Sequence, residues 1–279
     1  MLSYRHMFHA GNFADVFKHA LLARLLGALN LKDKPWCYLD THAGIGRYDL
    51  MHEWAQKARE YDNGIARLWG RPDIPAALAP YMDAVKAANP YPNLRYYPGS
   101  PFIARQLARR GDRIVLSELN KVDFEELKAV FAGDRQVAAH LMDGYQALKA
   151  FLPPKERRGL VLLDSSFDRA KEFARIVDAL REAHARWTTG IYAVWYPLMT
   201  PGAMLGFARD IAGAGIRKIL QLELRIAAED TDIMSGCGML VVNPPYKFAG
   251  EARALLDWLC PVLARDGAGS AKVEWLVPE

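Results

Sequence analysis

Short apolar runs bounded by Gly, Pro or Asp, most of them alternating with helix-like stretches, set the plan of this chain. They fall at 36–41, 113–118, 159–164, 190–196, 219–224 and 238–243, with a shorter one at 137–142. Runs of this length without polar alternation read as strands buried on both faces. Helical stretches at 14–30, 101–110, 123–131 and 169–186 supply the cover, and the alternation implies a mostly parallel α/β sheet. With 51% hydrophobic and 24% charged residues, there is enough apolar surface to offset chain entropy, so disorder is excluded as the main theme. The most apolar stretches, 20–29 and 191–199, fall short of the about 18 uncharged residues that a membrane span needs.

One connection is anomalous. The first strand and the next are separated by roughly 70 residues, where a crossover needs about 12. The excess reads as a helical insertion subdomain, 48–98, within a single domain 1–279. Trp54, Tyr61, Trp69 and Tyr81 are expected to give the insertion a small core of its own. Ser100 and Pro101 restart the crossover helix, as its N-cap and first helical residue.

The chemistry-bearing residues cluster at strand ends. Asp40-Thr41-His42-Ala43-Gly44-Ile45-Gly46 follows the first strand, and glycines there let a ligand approach the backbone. Asp49 stands where the dinucleotide fingerprint needs a third glycine. The pattern suits a loop for S-adenosylmethionine (AdoMet) better, the bland alternative being a plain strand–turn. Glu118 ends the second strand, where an acid accepts hydrogen bonds from ribose hydroxyls or merely caps a helix. Asp143-Gly144 ends the third strand or is a simple turn. All three fall on one rim of a parallel sheet, which favours the cofactor reading.

The fourth strand runs into Asp164-Ser165-Ser166-Phe167. Amino methyltransferases place an acid or amide, two prolines and an aromatic at this point. The acid and a backbone carbonyl accept hydrogen bonds from an exocyclic amine, the aromatic stacks on the base, and the prolines stiffen the turn. Asn243-Pro244-Pro245-Tyr246 matches that pattern letter for letter, but it follows a late strand expected to run antiparallel and to open on the opposite rim. Asp164 is therefore the expected amine acceptor. Lys18 and His19 are candidate partners for the methionyl carboxylate. His6 and His9 lack the further ligands of a metal site, so no metal is expected. Lys and Arg number 36 against 32 acids, a net +4, which permits a nucleic-acid partner without demanding one. Three scattered cysteines suggest no disulfide framework and a reducing, cytoplasmic setting.

Several blocks together resemble one family: Tyr4-Arg-His-x-Phe-His-Ala-Gly-Asn, Asp15-Val-Phe-Lys-His, Tyr38-Leu-Asp-Thr-His-Ala-Gly, Tyr96-Tyr-Pro-Gly-Ser-Pro and Thr189-Gly-Ile-Tyr-Ala-Val-Trp-Tyr-Pro. It is the bacterial 23S rRNA adenine-N6 methyltransferases of the large ribosomal subunit, which also carry an older label for use of external DNA as a nutrient. The resemblance spans essentially the whole chain. It implies a Rossmann-like class I methyltransferase domain, a mostly parallel sheet with one antiparallel strand, and a helical insertion after the first strand. It implies AdoMet as cofactor, held by His19, His42, Ser100, Glu118, Asp143, Gly144 and Asp164, beside the Gly44 and Lys18 read above. It implies Asp164 as catalytic acceptor with Phe167 stacking on the base. Tyr4, with Arg5 and His6 beside it, would meet the substrate, 23S rRNA that is naked or in an assembly intermediate. The chain departs from the family at Ser165-Ser166, where Pro-Pro is the pattern, and serines are expected to hold the turn less firmly. Two other readings stay open on the residues alone. One is a member that binds AdoMet or nucleic acid without catalysis. The other is a nicotinamide-dependent oxidoreductase, suggested only by the alternating fold.

Overall fold

A computed structural model of the chain describes residues 5–167, 171–227, 234–265 and 267–279. Its strands, numbered along the chain, are β1 (Cys37–Asp40), β2 (Arg47–Asp49), β3 (Tyr96–Pro98), β4 (Arg113–Glu118), β5 (Val137–Leu141), β6 (Gly159–Leu163), β7 (Ile191–Pro197), β8 (Ile219–Arg225), β9 (Gly236–Val242) and β10 (Ser270–Val277). Eight of them form one sheet in the order β10-β8-β9-β7-β6-β1-β4-β5. From β5 to β7 all neighbours are parallel. The late strand β9 is antiparallel to both β7 and β8, the antiparallel strand that the sequence led us to expect. A second one, β10, adds an edge antiparallel to β8. It has no uninterrupted apolar run, because an edge strand keeps polar side chains such as Lys272 and Glu274 toward water.

The helices are α1 (Phe13–Asn30), α2 (Glu53–Ala58), α3 (Ala79–Ala88), α4 (Ser100–Leu107), α5 (Lys121–Val130), α6 (Gly144–Phe151), α7 (Glu172–Arg186), α8 (Pro201–Ala212) and α9 (Phe248–Leu263). Side chains alternate across the central strands. Tyr38, Ile114, Leu116, Leu160 and Leu162 join the core under α1 and α9. Cys37, Leu39, Val115, Val161 and Leu163 join the core with residues of α6, α7 and α8.

Helix α1 is buried around nearly its whole circumference, so it needs cover on every side. The sheet covers one side, with α4 and α9 flanking it. The segment between β1 and α4 supplies more, since α3 also packs on α1. This corrects the expectation of a separate small core. Tyr61, Ile65, Leu68, Leu78 and Tyr81 belong to the same cluster as α1, while Trp69 is partly buried against it. Trp54 stacks on Phe8 at 5.3 Å.

Candidate active site

Asp40, at the end of β1, is fully buried. Its Oδ2 accepts hydrogen bonds from the Tyr38 and Ser100 hydroxyls, each at 2.7 Å. Burial pushes its carboxyl up to about 6 against these bonds. The bond to Asp40 also corrects the expected cap. Helix α4 begins at Ser100 behind an N-cap at Gly99, with no side-chain capping bond, because the Ser100 hydroxyl is turned to the carboxylate instead.

The next turn brings Gly44 to φ +59, where a Cβ would lie 2.2 Å from the Tyr48 hydroxyl oxygen. The Gly44 N–H donates to Glu118 Oε2 at 2.8 Å, and the Asn120 N–H donates to Oε1 at 2.7 Å. Glu118 is thereby aimed at the glycine loop, its carboxyl raised by burial although these N–H groups oppose the rise. Asp143 caps α6, accepting from the Tyr145 N–H at 2.9 Å and the Gln146 N–H at 3.2 Å. At Gly144 a Cβ would sit 2.1 Å from the Thr41 carbonyl oxygen, so only glycine lets α6 start against the end of β1. His42, bonded to Thr41 Oγ1 at 2.8 Å, has its pKa lowered by burial, against the pull of the Asp164, Glu172 and Asp143 carboxylates.

Asp164 leaves β6 on the same rim. Its Oδ2 accepts from Lys18 Nζ at 2.6 Å, and the same ammonium pairs with Asp15 at 2.9 Å. Asp15 is 1% exposed and also accepts from the Gly11 N–H at 2.9 Å and bonds His6 Nε2 at 3.0 Å. Burial works to raise its carboxyl, but the His6, Lys18 and His19 charges and the His6 hydrogen bond hold it well below the usual range. His19 is buried against the Tyr97 hydroxyl at 2.8 Å, and burial keeps its pKa well below that of an open imidazole. Lys18 and His19 are thus neither a solvated helix face nor a matched pair of cations, since Lys18 is committed to two carboxylates.

Every cofactor-site residue named from the sequence lines one cleft of about 1010 Å3: Lys18, His19, His42, Gly44, Ser100, Glu118, Asp143, Gly144 and Asp164. His6 lines it too. Arg5 stands outside the lining, paired with Asp123 at 3.2 Å. Tyr4 lies outside the described residues. Phe167 also stands outside the lining. It adopts φ +55 and packs between Phe173 at 4.9 Å and Trp195 at 5.9 Å, and of these three rings it is Trp195 that lines the cleft. Asn243 donates to the Thr188 and Gly190 carbonyls, at 2.8 Å each, beside the start of β7 and hence on the far rim. The letter-perfect motif is a strand end.

Among the lining residues that the sequence reading did not assign to the site are Asp15, Tyr145, Glu172 and Trp195. Asp15 carried a signal, since it precedes Lys18 by one helical turn. The other three are assembled only by tertiary contacts. Among the described residues no group of three or more His, Cys, Asp or Glu is placed to hold a metal ion, and no helix is long and apolar enough to cross a membrane. All three cysteines are buried thiols.

A sheet of this order, with an antiparallel strand between β7 and β8 and a large cleft outside the carboxyl ends of its parallel strands, has the class I methyltransferase fold. Residues 33–277 match the family described as ribosomal RNA large subunit methyltransferase D, RlmJ. The chain is 45% identical to the ribosomal RNA large subunit methyltransferase J of Escherichia coli (strain K12) and 43% identical to that of Haemophilus influenzae, in each case over all of both chains. The crystal structure of a Legionella pneumophila protein superposes with a TM-score of 0.90 at 37% identity, covering 96% of this chain and 98% of that one. The chain belongs to the RlmJ family.

Proposed function

We propose that this protein transfers a methyl group from AdoMet to N6 of an adenine in large-subunit ribosomal RNA. The observation that carries the reading is the Asp164 carboxylate, set at the end of β6 in the same cleft as the Gly44 loop and Glu118. The names of the full-length relatives support the RNA substrate. The donor set suits AdoMet: an acid for the ribose diol at Glu118, a glycine loop for close approach, and a cleft large enough for an amino acid joined to a nucleoside. When bound, AdoMet supplies an electrophilic methyl group on a sulfonium.

The chain's own residues must then present an amine. The lone pair of an adenine N6 is delocalised into the ring, which makes it a poor nucleophile. Hydrogen bonds from the amine to Asp164 and to the following backbone carbonyl favour a pyramidal nitrogen aimed along one line. Lys18 engages Oδ2 of Asp164, so the amine is assigned to Oδ1. The Asp15–Lys18 pair fixes the carboxylate in place. Asp164 accepts the proton that the amine loses. Trp195 offers the aromatic wall, with Phe167 packed edge-on behind it at 70°. His6, Arg5 and Tyr4 are assigned to the RNA side, and the target base must leave its stack to enter.

The test is transfer from labelled AdoMet to unmodified 23S rRNA, read by mass spectrometry of the digested nucleosides. N6-methyladenosine at one site is expected. Asp164→Ala should abolish transfer while leaving much of the AdoMet affinity. A fully active Asp164→Ala enzyme, or label in any other nucleoside, refutes the assignment.

A further inference from the structure

The turn after β6 has two serines where the resemblance implies two prolines, and prolines would fix φ at both positions. Serines leave both torsions free. The turn must nonetheless hold Asp164 against Lys18 and carry Phe167 at φ +55, a region that a non-glycine residue keeps only when its surroundings enforce it. Phe173 and Trp195 pack against Phe167, and a buried acid engages the first serine of the turn. Glu172, 4% exposed at the start of α7, accepts from the Ser165 hydroxyl at 2.5 Å. The same oxygen accepts from the Tyr145 hydroxyl at 2.5 Å. Its other oxygen pairs with Arg175 at 3.1 Å, and that guanidinium lies 4.5 Å over the Tyr145 ring.

These contacts join two parts of the cleft that the chain does not connect locally. Tyr145 is in the first turn of α6, next to Gly144 on the proposed cofactor side. Ser165 follows the proposed amine acceptor. Two short charge-assisted hydrogen bonds to one carboxylate oxygen therefore fix the distance between the cofactor side and the substrate side.

We infer that Glu172 is a positioning residue, which through Ser165 and Tyr145 gives the Ser-Ser turn the rigidity that Pro-Pro would build into the backbone. The inference rests on the methyltransferase reading for its effect on turnover, but the clamp itself has a readout independent of catalysis. Ser165→Ala deletes the bond with the smallest change, and Glu172→Ala deletes both. Each is expected to lower kcat roughly tenfold or more, with KM for AdoMet within about threefold of wild type. Each also speeds amide exchange in the peptide spanning 164–167. In a Ser165→Pro/Ser166→Pro background the same Glu172→Ala change should cost less than about twofold, since the backbone then holds the turn unaided. Equal losses in the two backgrounds would reduce Glu172 to general structural support and overturn the inference. So would unchanged exchange and kcat in Ser165→Ala, a variant mild enough to fold if Glu172→Ala does not. If wild type transfers no methyl yet Ser165→Ala exchanges faster at 164–167, the catalytic reading fails and the clamp stands.

Discussion

Asp15→Asn is the substitution whose consequences can be worked furthest. The native carboxylate is 1% exposed and meets a Lys18 ammonium whose side chain is 6% exposed. It also meets His6 and the Gly11 N–H. Removing one partner of a buried ion pair costs about 3–5 kcal/mol, because the other charge stays buried. Asn keeps one acceptor oxygen and nearly the same shape, and Lys18 keeps Asp164, so the lower end applies, about 3 kcal/mol. That is a large share of the 5–15 kcal/mol that typically holds a domain together (about 10 as a middle value). In guanidinium denaturation at pH 7, with m of about 4 kcal/mol/M, the midpoint should fall by about 0.7 M at constant m. The effect also has a pH signature. The folded Asp15 carboxyl lies well below its usual range, so its contribution is complete above the unfolded value of about 3.9 and fades as pH drops through the folded one. The gap between wild type and variant should be fully present at about pH 5 and close below about 4. A midpoint shift under about 0.2 M, or a gap that persists unchanged at about pH 3, would show that the Lys18 charge does not depend on Asp15.

Other substitutions test other parts of the cleft. Glu118→Gln should weaken AdoMet binding about tenfold by calorimetry while kcat at saturation moves only a few-fold, since Glu118 faces the proposed ribose site and not the reacting atoms. Gly144→Ala puts a Cβ 2.1 Å from the Thr41 carbonyl oxygen. It should lower the thermal midpoint and cofactor affinity together, and a wild-type midpoint would contradict the close packing of α6 on β1. Asp40 behaves oppositely to Asp15. Its carboxyl is pushed up to about 6, so its folded form binds a proton more readily than the unfolded chain does. Wild-type stability relative to Asp40→Asn should therefore decline by on the order of 2–3 kcal/mol as pH rises from about 4 to 7, as urea midpoints across that range can show.

The inner parallel strands β1, β4, β6 and β7 were legible because they are largely buried on both faces and therefore written as unbroken apolar runs. Strand β10 was not, since an edge strand half in water carries no such run. Helix α1 was readable from residue 14, and its true first residue, Phe13, lies one position earlier behind the cap that Asn12 gives to the Asp15 N–H at 3.0 Å. The cleft was legible where its residues sit at strand ends, because in a parallel sheet all such ends share one rim whatever the loops do. Glu118, Asp143 and Asp164 follow from that rule.

Contacts between groups far apart in the chain were not legible, because chain order carries no distance between strand ends. Only the folded molecule joins Lys18 to Asp164 across 146 positions and turns Phe167 into an aromatic cluster instead of the cleft. Asn243, by contrast, was read from the sequence as opening on the opposite rim, and the antiparallel direction of β9 puts it there. The two serines show the division most clearly. By themselves they predict a turn less rigid than one with two prolines. The structure puts a buried carboxylate 2.5 Å from the first serine, so stiffness absent from the backbone is supplied by a side chain from the next helix.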